Sequence, residues 1–280
     1  MRAIELIKTG SKILKERKIL SHILDSEILL SKTLNISREK ILVNLDQKIN
    51  KKDIVKFEDY IERRTKNEPI AYILGEKEFW SKNFKVNKNT LIPRPETELL
   101  VDRLLKIFKK KKICILDIGT GSGCIVLSLL DELKDSTGVG IDISKEAILV
   151  AKINRFRFNL ENRVKFLNKS FLDVINKKFD LIVSNPPYIK RNSIKNLSDD
   201  IKKYEPRLAL DGGNDGLDLI KKVIYKSREI LKINGRLALE IGQQQLIKVS
   251  KILRDNNFRT EYYINDYKNN TRSVISVLMQ

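Results

Sequence analysis

Histidine occurs once in this 280-residue chain, at His22, and cysteine twice, at Cys114 and Cys124. A Ser-His-Asp centre is open to the chain only with His22 as its base, and a zinc site could draw on just three His and Cys side chains. Two cysteines are too few for a disulfide framework, so a reducing, cytoplasmic compartment is expected. No apolar run approaches the ~20 residues that a membrane span needs. Met1 to Lys8 interleaves charged and apolar residues at helical spacing, which predicts a helix in place of a signal peptide. Glycine and proline are scarce, with 12 and 6 copies, and there is neither an internal repeat nor a low-complexity linker.

What the chain has in excess is positive charge, 55 Lys and Arg against 36 Asp and Glu, a net of +19. Taken alone, that invites a nucleic-acid partner. The excess is spread evenly, however. Residues 1–85 hold 19 basic and 13 acidic side chains, a net of +6, and residues 86–280 hold 36 and 23, a net of +13. With no basic tail or basic domain, the charge reads as a bias of the whole chain that at most helps draw in an acidic protein partner. Apolar residues make up 41% of the sequence, which is enough for a packed core and too much for a disordered chain.

Apolar residues recur at helical spacing from residue 2 to about 66, through Leu6, Ile7 and Leu14, then Ile28, Leu29 and Leu34, then Phe57, Tyr60 and Ile61. Ser21, Ser37 and Asn50 stand at N-cap positions, which predicts a bundle of about four helices over residues 1–68. The pattern changes at Asn67-Glu68-Pro69. Ile70 to Val86 carries aromatic and β-branched residues around Gly75 and is expected to form a hairpin or pair of strands within a linker over residues 69–95. Leu91-Ile92-Pro93-Arg94-Pro95 cannot be helical, and a helix is expected to begin near Glu96. From residue 96 to 280 short apolar runs alternate with amphipathic helices, the signature of an α/β domain with a mostly parallel sheet. Five runs are Ile113–Ile118, Val139–Ile143, Val164–Leu167, Leu181–Ser184 and Leu237–Ile241. Two more, Phe258–Ile264 and Ser273–Leu278, lie too close together for a crossover helix and should pair antiparallel, giving a sheet of seven strands.

The first of these strands ends in Asp117-Ile118-Gly119-Thr120-Gly121-Ser122-Gly123-Cys124 and leads into a helix. Such glycines let the backbone turn sharply and approach a ligand at the carboxyl end of a strand. A dinucleotide fingerprint would want Gly or Ala where Cys124 stands, and a P-loop would want Gly-Lys-Ser/Thr, so pyrophosphate and triphosphate ligands lose ground. Asp142 closes the next strand, 23 positions after Gly119, where a carboxylate can accept hydrogen bonds from both ribose hydroxyls. The ligand implied is a nucleoside without phosphates, and S-adenosylmethionine fits, with Asp117 facing its amino group. A tight strand-to-helix turn and a capping aspartate are the structural alternatives for these residues taken singly.

The fourth of these strands ends in Asn185-Pro186-Pro187-Tyr188. Successive prolines have no N–H to offer, so the segment presents carbonyl acceptors beside the Asn185 side-chain oxygen. That set suits an NH₂ group donating two hydrogen bonds and turns its lone pair toward a sulfonium methyl. Tyr188 would cover the flat face of the substrate. An amide nitrogen methylated this way sheds its proton without a dedicated base, which agrees with the scarcity of histidine. No metal site is expected. Asn-Pro as an ordinary strand-end turn is the structural alternative.

Asn185-Pro186-Pro187-Tyr188, the glycine loop, the block Leu91-Ile92-Pro93-Arg94-Pro95-Glu96-Thr97-Glu98 and the late Asp266-Tyr267-Lys268-Asn269-Asn270-Thr271-Arg272 together resemble the HemK/PrmC-type methyltransferases that modify peptide chain release factors. The likeness runs from about Pro69 to the C-terminus and includes Glu78-Phe79-Trp80. Asn-Pro-Pro-Tyr alone is shared with enzymes that methylate adenine or cytosine amino groups, so the Ile-Pro-Arg-Pro-Glu-Thr-Glu block discriminates better. The resemblance implies a class I S-adenosylmethionine-dependent methyltransferase domain at 96–280 and a helical substrate-recognition domain at 1–68. It implies methylation of the side-chain amide nitrogen (N5) of the glutamine in a Gly-Gly-Gln motif, by a cytoplasmic monomer that needs neither membrane nor direct nucleic-acid contact. Carried over as cofactor contacts are Asp117, Ile118, Gly119, Thr120, Gly121, Asp142 and Asn185. Phe171 joins them where the family often has an aromatic beside the adenine, a tryptophan in some members. Methylation of an RNA or DNA amino group is the alternative activity.

Overall fold

A computed structural model describes residues 1–174 and 178–280, and in it the chain divides into two units, Met1–Gly75 with Ser198–Tyr204 and Glu76–Leu197 with Glu205–Gln280. The first unit opens with helices α1 (Ala3–Glu16), α2 (His22–Leu34), α3 (Arg38–Val43) and α4 (Lys51–Thr65). Two of the three expected caps are made: Ser37 Oγ accepts from Lys40 N at 3.4 Å and Asn50 Oδ1 from Asp53 N at 2.9 Å. Ser21 holds the N-cap position of α2 without a side-chain bond. Leu6, Leu14, Leu29, Leu30, Phe57 and Ile61 fill the core, each large side chain stabilising the fold by about 1.5–3 kcal/mol. Helices α1, α2 and α4 meet at Gly10, where an added Cβ would lie 2.7 Å from Ser26 Oγ and 2.8 Å from Phe57 Cζ. The buried face of α2 is not its most apolar one: Ile23 and Leu24 are exposed, while Asp25 and Ser26 are buried. Each of those polar groups is matched, Asp25 by Arg64 Nε at 2.7 Å and Ser26 by the Ile7 carbonyl at 2.9 Å, so burial leaves no charge or hydroxyl unpaired.

Residues 70–74, expected as strand, form a fifth helix, α5 (Ile70–Leu74). A five-residue apolar run has no periodicity to separate strand from helix. Here Gly75 decides, because its positive φ of 73° lets its N–H close back on the Ala71 carbonyl and cap the turn. Ile73 is thereby placed in the helical core.

The second unit starts with an antiparallel hairpin, β1 (Glu76–Phe79) and β2 (Lys82–Lys85), so the predicted strand pair is confined to residues 76–85. Helix α6 (Pro95–Ile107) follows, with Pro95 in its first turn, where a missing N–H costs nothing. Then come β3 (Cys114–Ile118), α7 (Cys124–Glu132), β4 (Thr137–Asp142), α8 (Lys145–Arg157), β5 (Val164–Asn168) and β6 (Phe179–Ser184). Beyond β6 the chain gives α9 (Asp199–Tyr204) to the first unit, where Tyr204 Oη donates to the Lys66 carbonyl at 2.9 Å. Helix α10 (Asp218–Ile230), β7 (Leu231–Glu240), α11 (Leu246–Asp255), β8 (Phe258–Asn265) and β9 (Thr271–Leu278) complete the order.

The seven strands form one sheet in the order β5-β4-β3-β6-β7-β9-β8, parallel except for β9, which runs antiparallel to both neighbours. The two C-terminal runs pair as expected, with β9 inside and β8 at the edge. Strand β7 begins at Leu231, well before the predicted run, with a register irregularity against β6. One face of the sheet is covered by Leu100, Leu104, Val126 and Leu129 from α6 and α7, the other by Ile220, Val223, Val249 and Leu253 from α10 and α11. Parallel strands buried on both faces account for the near-continuous apolar runs. The chain leaves β3 on one side toward β4 and returns on its other side as β6, so the carboxyl ends of these strands form a topological switch point.

Candidate active site

A cavity of about 410 Å³ opens at the carboxyl ends of β3, β4 and β6. The loop after β3 forms its floor through backbone geometry. Gly119 N and Thr120 N both donate to the Ile141 carbonyl of β4, at 2.9 and 3.0 Å. Gly119, Gly121 and Gly123 have φ of 70°, 54° and 82°, the left-handed region that side chains disfavour. Methyl groups added at Gly119 and Gly121 would have nothing within 4 Å, so the loop turns an unshielded backbone face toward open space. That is the cradle a closely approaching ligand requires.

Asp142 builds the loop as well as lining the cavity. Its Oδ2 accepts from Gly121 N at 3.0 Å and its Oδ1 from Ser144 N at 2.9 Å. Burial pushes its carboxyl up, opposed by those backbone hydrogen bonds. A carboxylate has about four acceptor positions, so two bonds leave room for ribose hydroxyls. Asp117 is only 1% exposed, does not line the cavity, and accepts from Thr120 Oγ1 at 2.7 Å. Desolvation pushes its carboxyl up to about 7, against the opposing pull of Thr120. Phe171 lines the wall at the start of a 3₁₀ turn capped by Ser170, whose Oγ accepts from Leu172 N at 3.2 Å.

Asn185, Pro186 and Pro187, which follow β6, also line the cavity. Ser184 Oγ ties that strand end to the Ile118 carbonyl of β3 at 2.8 Å. Tyr188 does not line the cavity. Its ring lies 5.5 Å from the Arg272 guanidinium, its hydroxyl accepts from Arg272 Nη2 at 3.0 Å and donates to Glu240 Oε1 at 3.4 Å. Glu240 ends β7 and receives a 2.6 Å hydrogen bond from Thr97 of α6. The block at 91–98 also reaches the cavity through Pro93, Arg94 and Thr97, and Arg94 Nη2 is paired with the buried Glu205 at 2.5 Å.

Of the sequence-predicted site residues, Ile118, Gly119, Thr120, Gly121, Asp142, Phe171, Asn185, Pro186 and Pro187 meet around one cavity, while Asp117 and Tyr188 sit behind it. Thr97, Glu205 and Glu240 have no mark as partners in local sequence, since each lies far along the chain from the residue it holds. The block at 91–98 was singled out as a signature, which is the one signal that pointed to Thr97. His22 belongs to the first unit, with Ser11 Oγ 2.8 Å from its Nδ1. Cys124 lines the cavity, and burial pushes its thiol up to about 12. Among the described residues no group of three His, Cys, Asp or Glu side chains could hold a metal ion, and no helix is long and apolar enough to cross a membrane.

Glycine loop, cavity-lining carboxylate and switch-point cavity define the class: a methyltransferase of the class I fold, for which S-adenosylmethionine is the methyl donor. Residues 95–204 match the Methyltransferase small domain, and residues 5–75 the PrmC N-terminal domain. A solved methyltransferase from Pyrococcus furiosus has the same fold at a TM-score of 0.55 and 18% identity, over 80% of this chain and 100% of that one. The chain belongs to the release factor glutamine methyltransferase family. It is 41% identical to the Clostridium acetobutylicum release factor glutamine methyltransferase over 97% of this chain and 96% of that protein. It is also 38% identical to the Rickettsia prowazekii bifunctional methyltransferase, over 90% of this chain but only 52% of that longer protein.

Proposed function

We propose that this protein transfers a methyl group from S-adenosylmethionine to the side-chain amide nitrogen (N5) of the glutamine in a Gly-Gly-Gln motif of peptide chain release factors. The observation that carries the reading is the placement of Asn185-Pro186-Pro187 in the same cavity as the glycine loop, at the ends of the paired strands β6 and β3. In this reading Gly119 to Gly121 cradle the donor, Asp142 receives its ribose, Phe171 lies beside its adenine, and Asp117 supports the loop from behind through Thr120. The donor supplies an electrophilic methyl carbon on a sulfonium centre. The Asn185 side-chain oxygen and the Pro186 carbonyl accept the two protons of the substrate NH₂, which orients its lone pair for in-line attack. The amide nitrogen is a weak nucleophile, so alignment and the fixed dipoles of the cavity wall supply most of the acceleration. As the N–C bond forms and the C–S bond breaks, the nitrogen becomes a strong acid and releases one proton to water.

The helical region at 1–68 is assigned to substrate recognition and the segment at 69–95 to the connection. The enzyme is read as a cytoplasmic monomer with no need of direct nucleic-acid contact. Incubation of the purified protein with methyl-labelled S-adenosylmethionine, offering release factor and total RNA separately, tests the substrate class. Label is expected on the release-factor glutamine. Label in RNA and none in the release factor would move the activity to a nucleic-acid amino group.

A further inference from the structure

Stretches of sequence that lie far apart in the chain join in one network around Tyr188 and Glu240. Thr97, from the block at 91–98, donates to Glu240 Oε2 at 2.6 Å. Tyr188, next to Pro187, donates to Glu240 Oε1 at 3.4 Å. Arg272, the last residue of the block at 266–272, donates to the Tyr188 hydroxyl at 3.0 Å and lies 5.5 Å from its ring centroid. Arg272 is itself delivered by a structured turn, in which Asp266 Oδ1 accepts from Lys268 N and Asn270 N, both at 2.9 Å, and Thr271 Oγ1 donates to Asn265 Oδ1 at 2.9 Å. The Tyr188 main chain is held separately: Gln245 Nε2 donates to its carbonyl at 3.1 Å, and a Cβ at Gly216 would come within 2.4 Å of that carbonyl oxygen.

We propose that Arg272 and Glu240 are positioning residues for methyl transfer, which fix the Tyr188 side chain and through it the placement of Asn185-Pro186-Pro187 on the cavity wall. The inference rests on the acceptor reading of that segment. Its mechanical basis is the proline pair. With φ fixed at both prolines, few soft torsions separate Tyr188 from Asn185, so an anchored phenol limits how far the Asn185 oxygen can drift. A displacement of 1 Å in a reacting pair can cost about 10²-fold in rate. The cost of the device also argues for function: Glu240 is 1% exposed, and burying a carboxylate among hydroxyls is a poor way to gain stability compared with apolar packing.

The test uses the full chain, S-adenosylmethionine and a release factor substrate, with Tyr188→Phe, Arg272→Gln and the double variant. Each single change is expected to lower kcat by about 10- to 100-fold while Kd for S-adenosylmethionine, measured by calorimetry, stays within about threefold. The double variant is expected to fall no more than about threefold below the worse single one, because both changes break the same link. A double loss equal to the product of the single losses overturns the inference, as does a cofactor affinity that weakens as much as kcat falls. Should Arg272→Gln not fold, Tyr188→Phe decides alone, since it removes one oxygen, and a kcat within about twofold of the parent rejects the proposal. Asn185→Ala separates the two levels. If it retains near-normal kcat, the acceptor reading fails; if it loses kcat while the Tyr188 and Arg272 variants keep theirs, only the positioning role fails.

Discussion

Asp117 is the residue whose chemistry changed most between sequence and fold. At the head of a glycine loop it reads as a ligand-facing carboxylate, yet the backbone turns over it and leaves it 1% exposed beneath Thr120. Its pKa, raised to about 7 from 3.8 chiefly by desolvation, carries a stability consequence. The unfolded chain ionises near 3.8 and the folded one near 7, so the unfolded state gains from ionisation first. Stability is therefore lost as pH rises from about 4, and the loss is complete above about 7. Asp117→Asn, which cannot ionise and still offers Thr120 an acceptor, is expected to gain on the parent between pH 5 and pH 8. In thermal unfolding, the variant-minus-parent difference in Tm should rise by at least about 2 °C over that interval. An unchanged difference would mean that Asp117 does not hold its proton in the native state. The identity of Asp117 was legible in the sequence; its burial was not, because exposure depends on how the loop closes against β4.

Among the elements, the glycines of β4 and of the loop after β3 do different jobs. Gly140 lies within β4, and a methyl there would fall 2.4 Å from Phe166 Cε1 and 2.8 Å from Thr120 Oγ1. Gly140→Ala should cost about 1–3 kcal/mol in denaturant unfolding, as overpacking does. Gly119 has no such neighbour, only a φ of 70°. Gly119→Ala should cost about 1–2 kcal/mol of backbone strain but weaken S-adenosylmethionine at least about tenfold, since the new methyl occupies the cradle. Equal effects of both substitutions on cofactor affinity would contradict this division. The element pattern itself was largely readable: parallel strands buried on both faces produce apolar runs, and the short gap at 265–272 allows only a hairpin. Residues 70–74 misread because five apolar residues carry no period, and the choice of helix lay in the positive φ that Gly75 alone supplies.

Across the whole molecule, a net charge of +19 spread over both parts of the chain has no single footprint. Such a field acts on encounter more than on the bound state. For a release factor with an acidic surface, kcat/KM is expected to fall about threefold or more between 50 and 300 mM salt while kcat holds. A parallel fall in kcat would place the charge effect within the bound complex instead. The sequence by itself determined the alternation of strand and helix, the glycine loop, the proline-locked segment after β6 and the absence of any histidine-rich centre, because these depend on local spacing and residue chemistry. Only the tertiary structure decided that Asp117 is sealed, that Tyr188 turns to Arg272 and Glu240, and that Thr97 joins them. Those outcomes are contacts between residues up to 143 positions apart, from Thr97 to Glu240, and the sheet order β3-β6-β7-β9 that brings them together has no signature in local sequence.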